Sequence, residues 1–145
     1  MPRHQVGRTV LFSCLALLTT PILSAEVEAI SWTKNVDEAY KIASESGRPL
    51  VIYATMNRCP YCTKMKNNTL SDPQVIKQLN EGFIPVYLHV SENAKWVRRL
   101  RVKTFPTSLF LTPDGKIHER TTGYVRSQSY LQKLQDLKTA SPPSR

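Results

Sequence analysis

The 145-residue chain has room for one domain, and its 41% hydrophobic content is enough to bury a core. Twenty Lys and Arg stand against 11 Asp and Glu, a formal charge of +9 that suits acidic partners or an anionic membrane face. There is no block of five like charges, no basic stretch interleaved with aromatics and no internal repeat. The composition therefore offers no nucleic-acid site and no repeat array.

Residues 1–8 are polar and carry Arg3 and Arg8 with no acid, 9–23 are apolar, and Ser24 and Ala25 are small residues ahead of Glu26. That order is the plan of a secretory signal peptide cleaved after Ala25. The apolar run is shorter than the ~20 residues a spanning helix requires, and Pro21 interrupts its end, which disfavours an uncleaved anchor. The expected division is a signal peptide at 1–25, one domain at 26–140 and a flexible tail at 141–145. Of the three cysteines, Cys14 leaves with the signal and Cys59 and Cys62 remain.

A helix opens the mature domain within 32–46. Val36, Ala39, Tyr40 and Ala43 fall at helical spacing, Asn35 caps the start and Gly47 ends it. Arg48-Pro49 turns the chain into 50–54, a nearly all-apolar run that suits a central parallel strand buried on both faces. A loop at 55–58 leads to a helix from Cys59 to about Asn67. Ser71 or Asp72 caps the next helix, with Pro73 in its first turn, Val75, Ile76 and Leu79 buried, and Gly82 as the stop. Residues 83–90 alternate as a strand, where Pro85 predicts a late start or a bulge. A helix over 92–100 presents Trp96, Val97 and Leu100 on one face and Lys95, Arg98 and Arg99 on the other. Pro113-Asp114-Gly115 then joins strands 108–111 and 116–121 in an antiparallel hairpin. A last helix over 127–138 turns Tyr130, Leu131, Leu134 and Leu137 inward. Crossovers between parallel strands followed by a hairpin predict an α/β fold, a mixed sheet with helices on both faces.

Chemistry centres on Cys59-Pro60-Tyr61-Cys62. Two thiols at this spacing close and reopen a small disulfide. With Pro60 beginning a helix, Cys59 lies at its N-terminus, where free N–H groups and the helix dipole favour a thiolate, the reactive form. Cys62 sits about one turn further in, so the first cysteine is expected to attack and the second to resolve. A static disulfide and half of a zinc site are the rival readings. The zinc site would need His89 and His118, which share no ligand spacing. His89 is expected along a strand and His118 on the hairpin surface. Arg58 is read either as a solvated loop residue or as a cation beside Cys59, and Met56 and Met65 as packing residues. The basic run 95–103 reads as the wet side of a helix.

Cys59-Pro60-Tyr61-Cys62 after a buried strand, with Phe105-Pro106-Thr107 before the hairpin, resembles the thioredoxin superfamily over residues 30–139. The run from Cys59 through Thr69-Leu70-Ser71-Asp72-Pro73 to Phe83-Ile84-Pro85-Val86 looks like the exported bacterial members. The resemblance implies a thioredoxin-like fold, a cis-Pro106 packed against the active-site disulfide, and a Phe105 backbone that pairs with an extended substrate. Thioredoxins carry Trp before the first cysteine and Gly-Pro between the two. Here Arg58 and the Pro60-Tyr61 pair stand instead, as modulating residues. Thioredoxins also bury an Asp beneath the site; the matching position is Tyr53, with Tyr87 on the neighbouring strand expected to face it.

The expected function is thus an exported, periplasmic thiol–disulfide oxidoreductase acting on protein thiols and disulfides, with a membrane or soluble redox partner. It needs no bound cofactor, because its electrons travel as dithiol and disulfide. A thioredoxin-fold binding module or chaperone that holds partners without turnover is the alternative.

Overall fold

A computed structural model describes residues 29–141. The expected signal peptide at 1–25, with Cys14, and the tail from 142 onward lie outside the described residues. Helix α1 runs Val36–Ser46, with the Asn35 side chain accepting the Glu38 N–H and Gly47 closing it at φ 70°. Strand β1, Leu50–Thr55, is buried along its whole length. Helix α2, Pro60–Lys64, passes into a π-helical turn at Met65–Thr69 rather than running on as a plain α-helix. Helix α3, Pro73–Gly82, takes Asp72 as its cap. Then follow β2 (Ile84–His89), α4 (Ala94–Arg99), β3 (Thr107–Leu111), β4 (Ile117–Thr122) and α5 (Ser127–Ala140).

The four strands stand in the order β2-β1-β3-β4, with β1 parallel to β2 and antiparallel to β3, and β3 antiparallel to β4. Alternation along β1 splits the core into two layers. Leu50, Ile52 and Ala54 pack with Val36 and Ala39 of α1, Trp96 and Val97 of α4, and Leu100 just beyond it. Val51 and Tyr53 face the opposite way, onto Met65 of the π-helical turn, Val75 and Leu79 of α3, and Tyr130 and Leu134 of α5. Helices on both faces leave β1 no route to solvent, which is why a nearly all-apolar run serves there. This is the expected α/β thioredoxin-like architecture.

Pro85 lies inside β2, in register with Val51, and the ladder neither starts late nor bulges there. The Ile84 N–H points to the β1 side, onto Pro49, while the Tyr87 N–H points outward, onto Thr33. By alternation the missing N–H of Pro85 would also have faced outward, so no β1 hydrogen bond is lost. The irregularity falls instead between Phe110 and Leu111, where β4 shifts register. Among the described residues, the outer edge of β2 is touched only by an isolated bridge from Thr33 to Val86. The Asn80 side chain anchors that segment, accepting the Ser31 N–H and donating to the Ala29 carbonyl. Helix α4 is shorter than the expected 92–100, because the N–H groups of Glu92 and Asn93 both turn back onto the His89 carbonyl.

Candidate active site

The carboxyl end of β1 delivers the chain through Met56, Asn57 and Arg58 to Cys59, the cap of α2. Arg58 makes the corner in the left-handed region, at φ 54°. Pro60 occupies the first helical turn, where its absent N–H costs nothing. Cys59 and Cys62 are joined as a disulfide with their Cα atoms 5.2 Å apart. The Cys59 sulfur accepts the Cys62 N–H at 3.1 Å, one of the free donors of the helix start. The two sulfurs differ in access: Cys59 is half-buried, whereas Cys62 is only 3% exposed. Tyr61 points out, 62% exposed.

Beneath the pair stands Tyr53, fully buried, whose hydroxyl donates to the Cys62 carbonyl at 3.1 Å. Its ring belongs to a triad with Trp32 and Tyr87, with centroids 5.8 to 6.1 Å apart. Burial pushes the Tyr53 hydroxyl up to about 12, against a smaller opposing effect of Thr55. At neutral pH it is therefore a donor and no acceptor for a cysteine proton. The position that holds an acid in thioredoxins thus carries a neutral hydroxyl, and Tyr87 does face it.

An open groove of about 550 Å³ runs over the pair. Its lining includes Thr55, Asn57, Arg58, Lys66, Tyr87 and His89, and none of its residues is acidic. His89 was expected merely along a strand, yet the parallel register sets it beside Thr55, at the sheet end that carries the cysteines. Its Nε2 lies 3.2 Å from Asn57 Oδ1 and its Nδ1 2.7 Å from Ser91 Oγ. Since Oδ1 only accepts, the Nε2–H donates and ties β2 to the loop before Cys59. The usable signal was that both strands end together at this edge, where ligands of α/β sheets collect. Met56 is exposed in this loop, contrary to its expected packing role, because β1 has already left the core; Met65 is fully buried. His118 is exposed on β4, as expected.

The Phe105–Pro106 bond is cis. Thr107 pairs with Ala54, so Pro106 falls opposite Thr55, the point from which the chain leaves for Cys59. Pro106 is buried, and its carbonyl accepts the Gly123 N–H at 2.7 Å. The Phe105 side chain packs on the α1/α4 layer. Among the described residues the N–H and carbonyl of Phe105 take no backbone partner. No group of three or more His, Cys, Asp or Glu able to hold a metal occurs among the described residues.

A family model described as a thioredoxin-like domain matches residues 36–138. The thiol:disulfide interchange protein DsbD of Yersinia enterocolitica is 31% identical over 101 residues, covering 66% of this chain and 18% of that protein. Its Escherichia coli counterpart is 28% identical over 109 residues, 71% of this chain and 19% of that one. The chain thus spans about a fifth of the length of these relatives. Among solved structures, a thioredoxin from Thermus thermophilus superposes with a TM-score of 0.68 at 30% identity, covering 77% of this chain and 88% of that one. The DsbH oxidoreductase shares the fold, with a TM-score of 0.66 at 17% identity over 92% and 95% of the two chains. The chain belongs to the thioredoxin-like family, is related to part of the thiol:disulfide interchange proteins and carries a Cys-x-x-Cys pair.

Proposed function

We propose that this chain is an exported thiol–disulfide oxidoreductase acting on protein disulfides, with Cys59 as the attacking sulfur and Cys62 as the resolving one. The observation that carries the assignment is the unequal access of two bonded cysteines that both line the groove, Cys59 half-buried and Cys62 buried. In the reduced protein the Cys59 thiolate attacks one sulfur of a substrate disulfide. A mixed disulfide forms and the other substrate sulfur leaves as a thiolate, which takes up a proton. Cys62, losing its proton, then attacks the Cys59 sulfur and releases the second substrate thiolate. Two electrons pass to the substrate, and the Cys59–Cys62 disulfide remains to be reduced by a dithiol donor. The open Phe105 backbone and cis-Pro106 shape the groove in which an extended substrate segment lies, while Arg58, Pro60 and Tyr61 modulate the pair.

Trapping tests the roles. Cys62→Ser should accumulate a mixed disulfide between Cys59 and substrate, and Cys59→Ser should trap little. Equal trapping by both variants, or by neither, overturns the assignment. Insulin reduction that survives loss of Cys59 would do so as well, and binding without any turnover would favour the chaperone alternative. Export to the periplasm rests on the leader at 1–25. Mass spectrometry of the mature protein should find Glu26 first, and an intact N-terminus on membrane-bound protein would reverse that reading.

A further inference from the structure

From Ala94 to Pro113 the chain contains no acidic residue, yet five cations fall within it at Lys95, Arg98, Arg99, Arg101 and Lys103. All five are exposed. Helix α4 turns Trp96 and Val97 into the core and leaves its cations outside. The ion pairs among the described residues are Lys41–Glu45, Lys116–Asp114 and Lys133–Glu119, and none involves these five. Two of the five have a structural role. The Arg99 guanidinium lies 4.7 Å over the Trp96 ring, and Arg101 turns the chain in the left-handed region, at φ 51°. Arg120 adds a sixth cation, donating from β4 to the carbonyls of Leu100 and Arg101. The side chains of Lys95, Arg98 and Lys103 make no hydrogen bond or ion pair among the described residues. Asp37 on α1 accepts the Trp96 indole N–H, and Glu92 precedes the helix; two acids leave the surface strongly positive.

The position of this surface gives it a use. Lys103 stands two residues before Phe105, whose backbone takes no backbone partner among the described residues and which precedes Pro106, opposite Thr55 at the sheet end that carries the cysteines. We infer that the cations of α4 and the cis-proline loop are a docking surface for an acidic segment flanking the cysteine of a protein substrate. The inference rests on the oxidoreductase reading above. An extended segment rises about 3.3 Å per residue, and α4 is roughly 9 Å long. We place the acids about three to six residues from the substrate cysteine, a reach of roughly 10–20 Å in extended chain. Positive potential along the approach raises the encounter rate with acidic chains and leaves neutral ones unaffected. A protein segment is favoured over a membrane face because the basic run leads into the open Phe105 backbone, at the sheet end that carries the redox pair.

The test uses two cystine peptides that differ only in Glu or Gln at positions three to six from the cysteine. Each is reduced by the full chain with dithiothreitol as electron donor. Wild type should reduce the Glu peptide roughly tenfold or more faster at low salt, the lower end of electrostatic steering, and the preference should shrink as salt rises. Lys95→Glu/Arg98→Glu/Lys103→Glu avoids the stacked Arg99, the strained Arg101 and the tethering Arg120. It should abolish the preference while keeping the wild-type rate on the Gln peptide. Equal wild-type rates on both peptides overturn the docking surface, whereas failure to reduce either overturns the oxidoreductase reading. An undiminished preference in the triple variant also overturns the docking surface. So does loss of binding to phosphatidylglycerol vesicles with the preference intact, which would assign the patch to a membrane.

Discussion

Replacing Tyr53 by Phe removes one hydroxyl from beneath the cysteine pair and leaves the aromatic triad filled. The hydroxyl donates to the Cys62 carbonyl, which still receives the Met65 N–H in the variant. No buried acceptor is orphaned, so the loss is that of one net hydrogen bond, about 1 kcal/mol. For a domain of this size that corresponds to roughly 4 °C in the unfolding midpoint. The alkaline limb follows from the raised tyrosine. An unfolded Tyr53 ionises near 10, while the folded one holds its proton to about 12. Its contribution is complete below pH 10 and is lost as pH rises through 12. Urea unfolding of the oxidised protein should show the variant less stable by about 1 kcal/mol at pH 7, with the gap closing above pH 10. The variant keeps some alkaline loss of its own, since burial raises Tyr130 as well. Turnover between pH 6 and 9 should keep its profile, because the hydroxyl only donates there. A variant as stable as wild type, a gap that ignores pH, or a displaced pH–rate profile would refute the reasoning.

Arg58→Ala removes an exposed cation beside Cys59, so the thiol pKa should rise and the reduction potential fall by about 10 mV, the equivalent of roughly 0.5 kcal/mol; an unchanged pKa on thiol titration dismisses Arg58 as a cause. With no acid lining the groove, the wild-type potential should lie above the ~−270 mV of thioredoxin, and an equilibrium measurement against glutathione at or below that value contradicts it. Leu79→Ala, in the fully buried layer under α3, should cost about 2–5 kcal/mol in urea unfolding. At Gly115, φ is +82° and an added Cβ would stand 2.7 Å from the Tyr40 ring, whereas at Gly123 φ is +81° with open space around it. Gly123→Ala should therefore cost about 1–2 kcal/mol of backbone strain alone and Gly115→Ala visibly more; equal midpoints for the two would show that the Tyr40 contact does not matter.

What the sequence determined by itself is whatever is decided within a few residues along the chain. Asn35 and Asp72 as caps, Gly47 as a stop, Pro60 in the first turn and Cys59 one helical turn from Cys62 are choices of this kind, and each is found where local chemistry demands it. The all-apolar 50–54 run and the 36, 39 and 43 stripe likewise carry their burial in their spacing. The cis-Pro106 was implied by family resemblance, since nothing in its neighbouring residues marks it. Tertiary structure alone decided the rest. Tyr53 reaches Cys62 because β1 passes under α2, and Trp32 and Tyr87 join it from segments distant in sequence. Pro85 is harmless within β2 only because its side of the ladder faces the sparsely paired edge, and Met56 is exposed because the strand ends one residue earlier. His89 enters the groove through the β1–β2 register. The pairing of strands from distant parts of the chain sets which residues meet, and no local preference encodes that meeting.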